Sequence, residues 1–346
     1  MALNAASFFS GIGGLDLGFE RSGFSISIQC EIDAYCNLIL EHHWPKVKRF
    51  KDIKEVKPAD VPVSDAWFGG FPCQDVSVAR MGPRAGLKGK RSGLFFEFAR
   101  LLGECRPRVF LIENVPGLLS SHGGRDFEIV IRTLADLGYG VGWRVLNSRY
   151  FGVPQSRQRV YIVGTHRDRT GAGQILFESE CGPRDLAAGK SNGKAVVSPF
   201  KASFGDPRKG PIVAGLAYCL YACSARHTGT DWSRNYVTYP TGKVRRYLPV
   251  ECERVQGFPE GWTNPTTVKG DADKVDQLRY NALGNAVTVP VAEWLAARIN
   301  TYLSAQPGVN GNGNGNGHRN GNGNGNGHTK RANGKPYKVS LSNSKN

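Results

Sequence analysis

The stretch AASFFSGIGGLDLGFER, residues 5–21, decides how this chain is read. An apolar, strand-compatible run (AASFF, 5–9) leads into Gly11-Ile12-Gly13-Gly14. A helical segment through Leu15, Leu17, Gly18, Phe19 and Arg21 follows. Strand, glycine turn and helix in that order open a sheet whose strands are joined by helices. The glycines permit a tight turn and close approach of a ligand to the backbone. Their pattern is G-x-G-G, short of the full G-x-G-x-x-G of dinucleotide sites, and glycine turns without a ligand are common.

The same rhythm continues outward from this unit. ISIQC (26–30) reads as a strand and AYCNLILEHH (34–43) as a helix. DAWFG (65–69) is apolar, LFFEFARLLGEC (94–105) is helical, RVFLIEN (108–114) is a strand and FEIVIRTLADLG (127–138) a helix. VGWRVLN (141–147) and VYIVG (160–164) complete the series. Alternation at this spacing predicts a doubly wound, Rossmann-like α/β sheet that gathers ligands at the carboxyl ends of its strands. Glu31 ends the second strand twenty positions after Gly11, where a carboxylate can accept hydrogen bonds from ribose hydroxyls, and so favours an adenosine-type cofactor. Asp52 and Ile53 would meet the adenine if a third strand ends there.

Between about Asp168 and Val244 the alternation fails, and the chain becomes rich in Gly, Pro, Ser and Arg. VPVAEWLAARINTYL (289–303) restores an apolar helical pattern suited to packing on the α/β body. Beyond it, GNGNGNGHRNGNGNGNGH has nothing to bury and reads as disordered. The expected organisation is a catalytic and cofactor-binding domain over 1–167 completed by 277–304, a small loop-rich domain over 168–276, and a basic Gly/Asn-rich tail over 305–346.

Composition narrows the partners. The 346 residues carry 45 Lys and Arg against 29 Asp and Glu, a formal charge of +16. That excess suits a polyanion, although many basic proteins bind none. No apolar run is long enough to span a membrane and the start lacks a signal-peptide pattern, so a cytoplasmic protein is expected. The eight cysteines then read as reduced thiols. Cys219, Cys223 and His227 approach a zinc pattern without a fourth ligand, so burial is the preferred reading and no metal site is expected.

A second stretch, GGFPCQDVSVAR (69–80), places a cysteine directly after a proline in a loop that follows an apolar run. Cys73 reads as a buried thiol, a redox centre or a nucleophile. The absence of a nearby partner cysteine argues against a dithiol motif. Glu113-Asn114-Val115 follows the strand VFLI, and in parallel topology the two loops leave the sheet at one edge. A thiol and a carboxyl would then converge beside the cofactor.

In this order Phe9-Ser10-Gly11-Ile12-Gly13-Gly14, Gly70-Phe71-Pro72-Cys73-Gln74, Glu113-Asn114-Val115, Gln155-Ser156-Arg157-Gln158-Arg159 and Gly284-Asn285 resemble the DNA (cytosine-5)-methyltransferases of bacterial and phage type. Glu251, Arg254 and Gln256-Gly257-Phe258-Pro259 resemble another block of that family, and the likeness spans nearly all of 5–303 outside 168–244. The resemblance implies S-adenosylmethionine as cofactor and double-stranded DNA as partner, with the target cytosine flipped out of the duplex. It implies Cys73 as the nucleophile at cytosine carbon 6 and Glu113 as the group bonded to N3 and the exocyclic amine. Arg159 falls to O2, Arg157 supports the loop, and Gln74 belongs to the same catalytic loop. Around the cofactor it implies Phe9, Gly11, Gly13, Gly14, Glu31, Ile32, Asp52, Ile53, Pro72, Leu94, Asn285 and Val287.

Two departures stand out. Ser7 occupies a position where the family usually carries an acid, and Tyr247-Leu248-Pro249-Val250-Glu251 replaces the usual Leu-Thr-Pro-Arg-Glu. Both concern support and packing rather than the chemical groups. By position, 168–244 is the family's target recognition region, with Arg184, Lys190, Lys194, Lys201, Arg208, Lys209, Arg226, Arg234 and Lys243 among Tyr218, Tyr221, Trp232 and Tyr236. A monomer is expected, with a restriction endonuclease of the same specificity as a possible companion. A nicotinamide enzyme explains the glycines and Glu31 but leaves the Cys73 and Glu113 loops without a purpose. An RNA cytosine methyltransferase and a catalytically silent DNA binder are the remaining alternatives.

Overall fold

The computed structural model describes residues 3–72, 93–178, 212–213, 217–220, 236–239, 244–265 and 271–306. Strands β1 (Leu3–Phe8), β2 (Phe24–Cys30), β3 (Lys48–Phe50), β4 (Ala66–Gly69), β5 (Val109–Asn114), β6 (Tyr139–Asn147), β7 (Gln155–Ser156) and β8 (Gln158–His166) come from the first half of the chain. Seven of them form one sheet in the order β3-β2-β1-β4-β5-β8-β6. The order reverses between β1 and β4, the switch point at which open α/β sheets bind ligands. The doubly wound α/β fold expected from the alternation is the fold observed.

Strand β8 runs against both of its neighbours, β5 and β6. Ser148–Arg157 joins β6 to β8 too briefly for a crossover helix, and a short connection returns a strand antiparallel. Elsewhere helices carry the chain across: α1 (Gly14–Arg21), α2 (Ala34–His43), α3 (Leu94–Cys105), α4 (Gly117–Ser120), α5 (Arg125–Asp136) and α6 (Gly171–Leu176). Asp33 caps α2 by accepting from the Cys36 amide.

Each face of the sheet buries its own core. On one face Phe8, Trp67, Phe110 and Ile112 pack with Phe95, Phe98, Leu101 and Leu102 of α3 and Val130 and Leu134 of α5. On the other, Phe68, Leu111 and Val163 meet Leu15 and Phe19 of α1 and the inner side of the terminal helix. Within the later region the described strands are β9 (Ile212–Val213), β10 (Ala217–Tyr218), β11 (Tyr236–Thr238) and β12 (Val244–Arg246). β10 pairs with β7 in parallel, and β11 pairs antiparallel with both β9 and β12. Three helices close the described chain: α7 (Pro249–Gln256), α8 (Ala272–Asn285) and α9 (Val289–Ala305). The arginine missing from the 247–251 block is not needed for Glu251, whose two carboxylate oxygens each accept from Arg245 at 2.8 Å. Helix α9 returns to the body and packs along α1, with Leu295, Ala296 and Ile299 fully buried.

Among the described residues no helix is long and apolar enough to cross a membrane. Cys30, Cys36, Cys105, Cys219 and Cys252 are free thiols.

Candidate active site

Register sets the site before any side chain is considered. Phe8 lies opposite Cys30 on one side and Gly69 on the other, and Gly69 lies opposite Ile112. The residue after each of these four, Phe9, Glu31, Gly70 and Glu113, therefore leaves the same edge of the sheet. Strand β8 brings its beginning to that edge, with Val160 opposite Asn114 and Arg159 just before it.

The β1–β2 end has the features an adenosine requires. Glu31 accepts one hydrogen bond on each carboxylate oxygen, from the Gly11 amide at 2.7 Å and the Asp33 amide at 2.8 Å. Each oxygen keeps lone-pair capacity for a ribose hydroxyl. Burial pushes the Glu31 carboxyl above its ordinary value, and the Asp33 and Gly11 amides oppose the shift. Gly11 has φ 55°, and a side chain there would point into open space. Phe9, at φ 54°, holds a left-handed conformation rare for a residue with a side chain. Ile32 is 72% exposed, an aliphatic group free to cover a ring. Asp52 caps a short turn through the Lys54 amide, Ile53 is buried behind it, and β3 ends two residues earlier at Phe50.

Beneath this edge lies a buried polar cluster. Asp16 accepts from Ser7 Oγ at 3.0 Å and from Gln29 Nε2 at 2.9 Å, and the Ser7 hydroxyl also meets that of Ser10 at 2.8 Å. Burial among neutral partners pushes the Asp16 carboxyl up to about 7. Ser7, the departure from the family's usual acid, thus joins an acid supplied from α1.

The β4–β5–β8 end has a different character. Glu113 is only 9% exposed, and its Oε1 lies 3.0 Å from Arg159 Nε. Burial pushes its carboxyl up, while Arg159 and then Arg157 pull it partly back. A Cβ at position 70 would sit 3.0 Å from Glu113 Oε2, so glycine there leaves the carboxyl its room. Asn114 Nδ2 donates to the Phe71 carbonyl at 3.2 Å, and Asn114 Oδ1 accepts from the Val115 amide at 2.9 Å. Phe71 is buried against Phe95. Asn114 and Phe71 together fix the backbone that leads through Pro72 into position 73.

Arg157 and Arg159 are two residues apart and serve different neighbours. Arg159 faces Glu113, whereas Arg157 is fully buried and turns its guanidinium to the carbonyls of Leu220, Gly284 and Ala286 and to the Cys219 sulfur. Arg157 thus ties three backbone carbonyls together, away from the Glu113–Arg159 bond.

Cys73 and Gln74 lie outside the described residues, as do Cys223, His227, residues 307–346 of the tail, and, in the recognition region, Arg184, Lys190, Lys194, Lys201, Arg208, Lys209, Tyr221, Arg226, Trp232, Arg234 and Lys243. Leu94 opens α3, partly buried on the core that holds Phe9 and Phe98. Asn285 is exposed at the end of α8, and the Val287 carbonyl abuts Gly14, where a Cβ would meet it at 2.8 Å. Gly13 starts α1 with φ 79°. Sequence reasoning missed Asp16, Gln155, Gln256 and Thr288 as supports. No short-range pattern marks them, because most of their partners are distant in sequence. No group of three metal-ligating side chains occurs among the described residues.

Comparison with known proteins matches this geometry to a family. The family model for C-5 cytosine-specific DNA methylase matches residues 3–194 and 208–301. The chain is 35% identical over 307 residues to the Type II methyltransferase M.NgoBI of Neisseria gonorrhoeae, covering 82% of this chain and 89% of the relative. It is 32% identical over 320 residues to the Type II methyltransferase M2.BsuMI of Bacillus subtilis (strain 168), covering 86% and 75%. Among solved structures, the Dnmt2 methyltransferase of S. pombe superposes with a TM-score of 0.62 at 19% identity, covering 87% of this chain and 99% of that one. The methyltransferase EhMeth of Entamoeba histolytica gives 0.61 at 20%, covering 88% and 98%.

Proposed function

The chain belongs to the C-5 cytosine-specific DNA methylase family, and from that premise we propose how its own residues carry out the transfer. Its activity is methylation of DNA cytosine at carbon 5, and its family is one of S-adenosylmethionine-dependent enzymes. When bound, S-adenosylmethionine supplies an electrophilic sulfonium methyl group. Glu31 would hold the ribose hydroxyls, and Phe9, Ile32 and Ile53 would flank the adenine with Asp52 at its edge. Gly11, Gly13 and Gly14 would let the backbone approach, and Leu94, Pro72, Asn285 and Val287 would complete the wall. The open space at Gly11 and the free lone pairs of Glu31 support this fit.

Carbon 5 of cytosine is a poor nucleophile until the ring is activated. Cys73, as thiolate, adds to carbon 6 and forms a C–S bond. The ring electrons move toward N3 and O2 as it does so. Glu113 holds a proton at N3 and accepts from the exocyclic amine, and Arg159 donates to O2, so the charge is met where it develops. Carbon 5 then has enamine character and can take a methyl group. Removal of the carbon 5 proton by a base returns the electrons to the ring, and Cys73 leaves. None of this fits inside a stacked duplex, so the base must be flipped out. Gln74 would shape the loop that carries Cys73.

One observation carries this reading: the buried Glu113–Arg159 pair shares its strand end with Asn114, which fixes the Phe71 carbonyl two residues before Cys73. The loop-rich 168–276 region would read the DNA sequence, with its Lys and Arg on phosphates and guanine edges. The relatives' Type II names support a restriction endonuclease of the same specificity as companion, and a monomer on DNA is the assembly we propose.

The test is single-base methylation mapping of duplex DNA treated with protein and S-adenosylmethionine, beside Cys73→Ser and a transfer RNA arm. Methylation confined to a short duplex motif and lost in Cys73→Ser is expected. Methylation of the transfer RNA alone would overturn the DNA reading, and full activity in Cys73→Ser would overturn the mechanism.

A further inference from the structure

Arg157 is a buried cation without a carboxylate in hydrogen-bond contact. Its Nη1 donates to Leu220 O at 2.9 Å and lies 3.2 Å from Cys219 Sγ, and its Nη2 donates to Gly284 O at 3.1 Å and Ala286 O at 2.8 Å. Its Nε has no hydrogen-bond partner among the described residues. A charge so far from water depends on every acceptor it has, and withdrawing one exposes the full desolvation cost. The two segments it grips are distant in sequence and belong to different parts of the proposed chemistry. Cys219 and Leu220 follow β10 in the recognition region, while Gly284 and Ala286 flank Asn285 at the cofactor wall.

Neutral side chains tie the same segments in parallel. Gln155 accepts from the Leu220 amide at 3.1 Å and donates to Val255 O at 3.1 Å and Gln256 Oε1 at 3.2 Å. Gln256 donates to Leu283 O at 2.8 Å and accepts from Thr288 Oγ1 at 2.8 Å, and Thr288 accepts from Ser148 Oγ at 2.8 Å. The chain of contact ends at the glycine turn, where the Val287 carbonyl lies against Gly14. Buried, well-partnered networks of this kind move together or not at all.

We propose that Arg157 is a positioning residue that couples DNA engagement by the recognition region to the cofactor wall at 284–287, so that each ligand tightens the other. The proposal rests on the reading that 168–276 meets DNA and that 285–287 meets the cofactor. Coupling of this sort is reciprocal and is measured as a ratio of affinities.

The experiment titrates S-adenosylhomocysteine into the full chain by calorimetry, with and without a saturating duplex that contains the mapped target sequence. In the wild-type protein the duplex should tighten S-adenosylhomocysteine binding by about tenfold. Arg157→Lys should bring that ratio below about twofold, and Thr288→Val, a near-isosteric change, should reduce it by about half. Glu31→Ala should weaken binding in both states and leave the ratio intact. A purely structural role would lower thermal stability and leave the ratio unchanged. A ratio near one in the wild-type protein, or an unaltered ratio in a folded Arg157→Lys and Thr288→Val, overturns the proposal. A protein that methylates the mapped sequence yet shows no coupling would overturn this inference and leave the proposed function standing.

Discussion

Glu31 and Glu113 leave the same edge of the sheet, and burial raises both carboxyls, yet they are held in opposite ways. Glu31 is held by two backbone amides, which the fold itself places and which cannot be withdrawn. Glu113 is held by one side chain, the guanidinium of Arg159. The difference separates two tasks. A carboxylate that only receives ligand hydroxyls gains from a fixed frame, because nothing must reorganise when the ligand arrives. A carboxyl that must keep or surrender a proton needs a partner that can turn from it to the base. In the proposed function the free lone pairs of Glu31 would serve the first task, and the Glu113–Arg159 contact the second.

The sharpest way to break this contrast is Glu113→Ala. We expect kcat to fall by about a thousandfold, while binding of S-adenosylhomocysteine stays within about threefold; tritiated-methyl transfer and calorimetry measure the two. The wild-type rate should also decline as pH rises through the elevated Glu113 value, because the protonated form is lost. Residual activity in Glu113→Gln should lack that decline. An unchanged kcat in Glu113→Ala removes the residue from the chemistry.

A third carboxyl extends the comparison to one with only neutral partners. Asp16, raised to about 7 from 3.8, keeps a proton in the fold that the unfolded chain has already released. The folded state therefore binds more protons between these values. Its stabilising contribution is complete below about pH 4 and is lost as pH rises through 7, with a loss on the order of 3 kcal/mol between pH 5 and 8. Asp16→Asn should flatten that slope in urea melts. Equal slopes in the two proteins would mean that Asp16 is ionised in the fold.

Glu31→Ala comes next in size. The dissociation constant for S-adenosylhomocysteine should rise about 10- to 100-fold, as expected for charge-assisted hydrogen bonds, with kcat at saturating cofactor changed by less than about threefold. A fall in kcat alone would move Glu31 from binding to chemistry. The smallest effect belongs to Asn114→Ala, which frees the Phe71 carbonyl without touching a reacting group. A loss of about tenfold in kcat is expected, the scale of one buried hydrogen bond, with Glu31-dependent cofactor binding preserved.

Much of this was legible in the chain because it is written locally. AYCNLILEHH and LFFEFARLLGEC form helices over the same residues the apolar spacing gives, and Glu31 stands twenty residues from Gly11 and bonds to it. β3 was less visible, since a three-residue strand containing Lys48 and Arg49 carries no apolar period. Pro249–Gln256 looked like a family block rather than a helix, because Glu251 and Glu253 lie buried on partners outside it. The resemblance separates Arg159 from Arg157 by role, but the partners that Arg157 grips are not visible in the sequence. Residues i and i+2 of a regular strand share a face, but Arg157 falls at the break between β7 and β8, and only the fold says that it turns to Gly284 while Arg159 turns to Glu113. The Gln155–Gln256–Thr288 network joins positions 101 and 32 residues apart, separations at which the sequence does not reveal a contact.

The reversed strand β8 has a consequence for how such a protein can change. The other chemistry-bearing residues on the sheet lie at or just past the carboxyl end of their strands, but Arg159 lies near the beginning of β8. The chain passes the reacting edge first, crosses the sheet between β5 and β6, and leaves near the start of β5 at His166. The variable stretch is thus spliced in at the far margin, past α6. Insertions or deletions within that stretch leave the register of Arg159 fixed by β5 and β6 on its two sides, provided that the Cys219–Leu220 segment which holds Arg157 is kept. If that stretch reads the DNA, as proposed, a new target can be acquired by exchanging it around a kept Cys219–Leu220 segment, with the chemical machinery inherited unaltered.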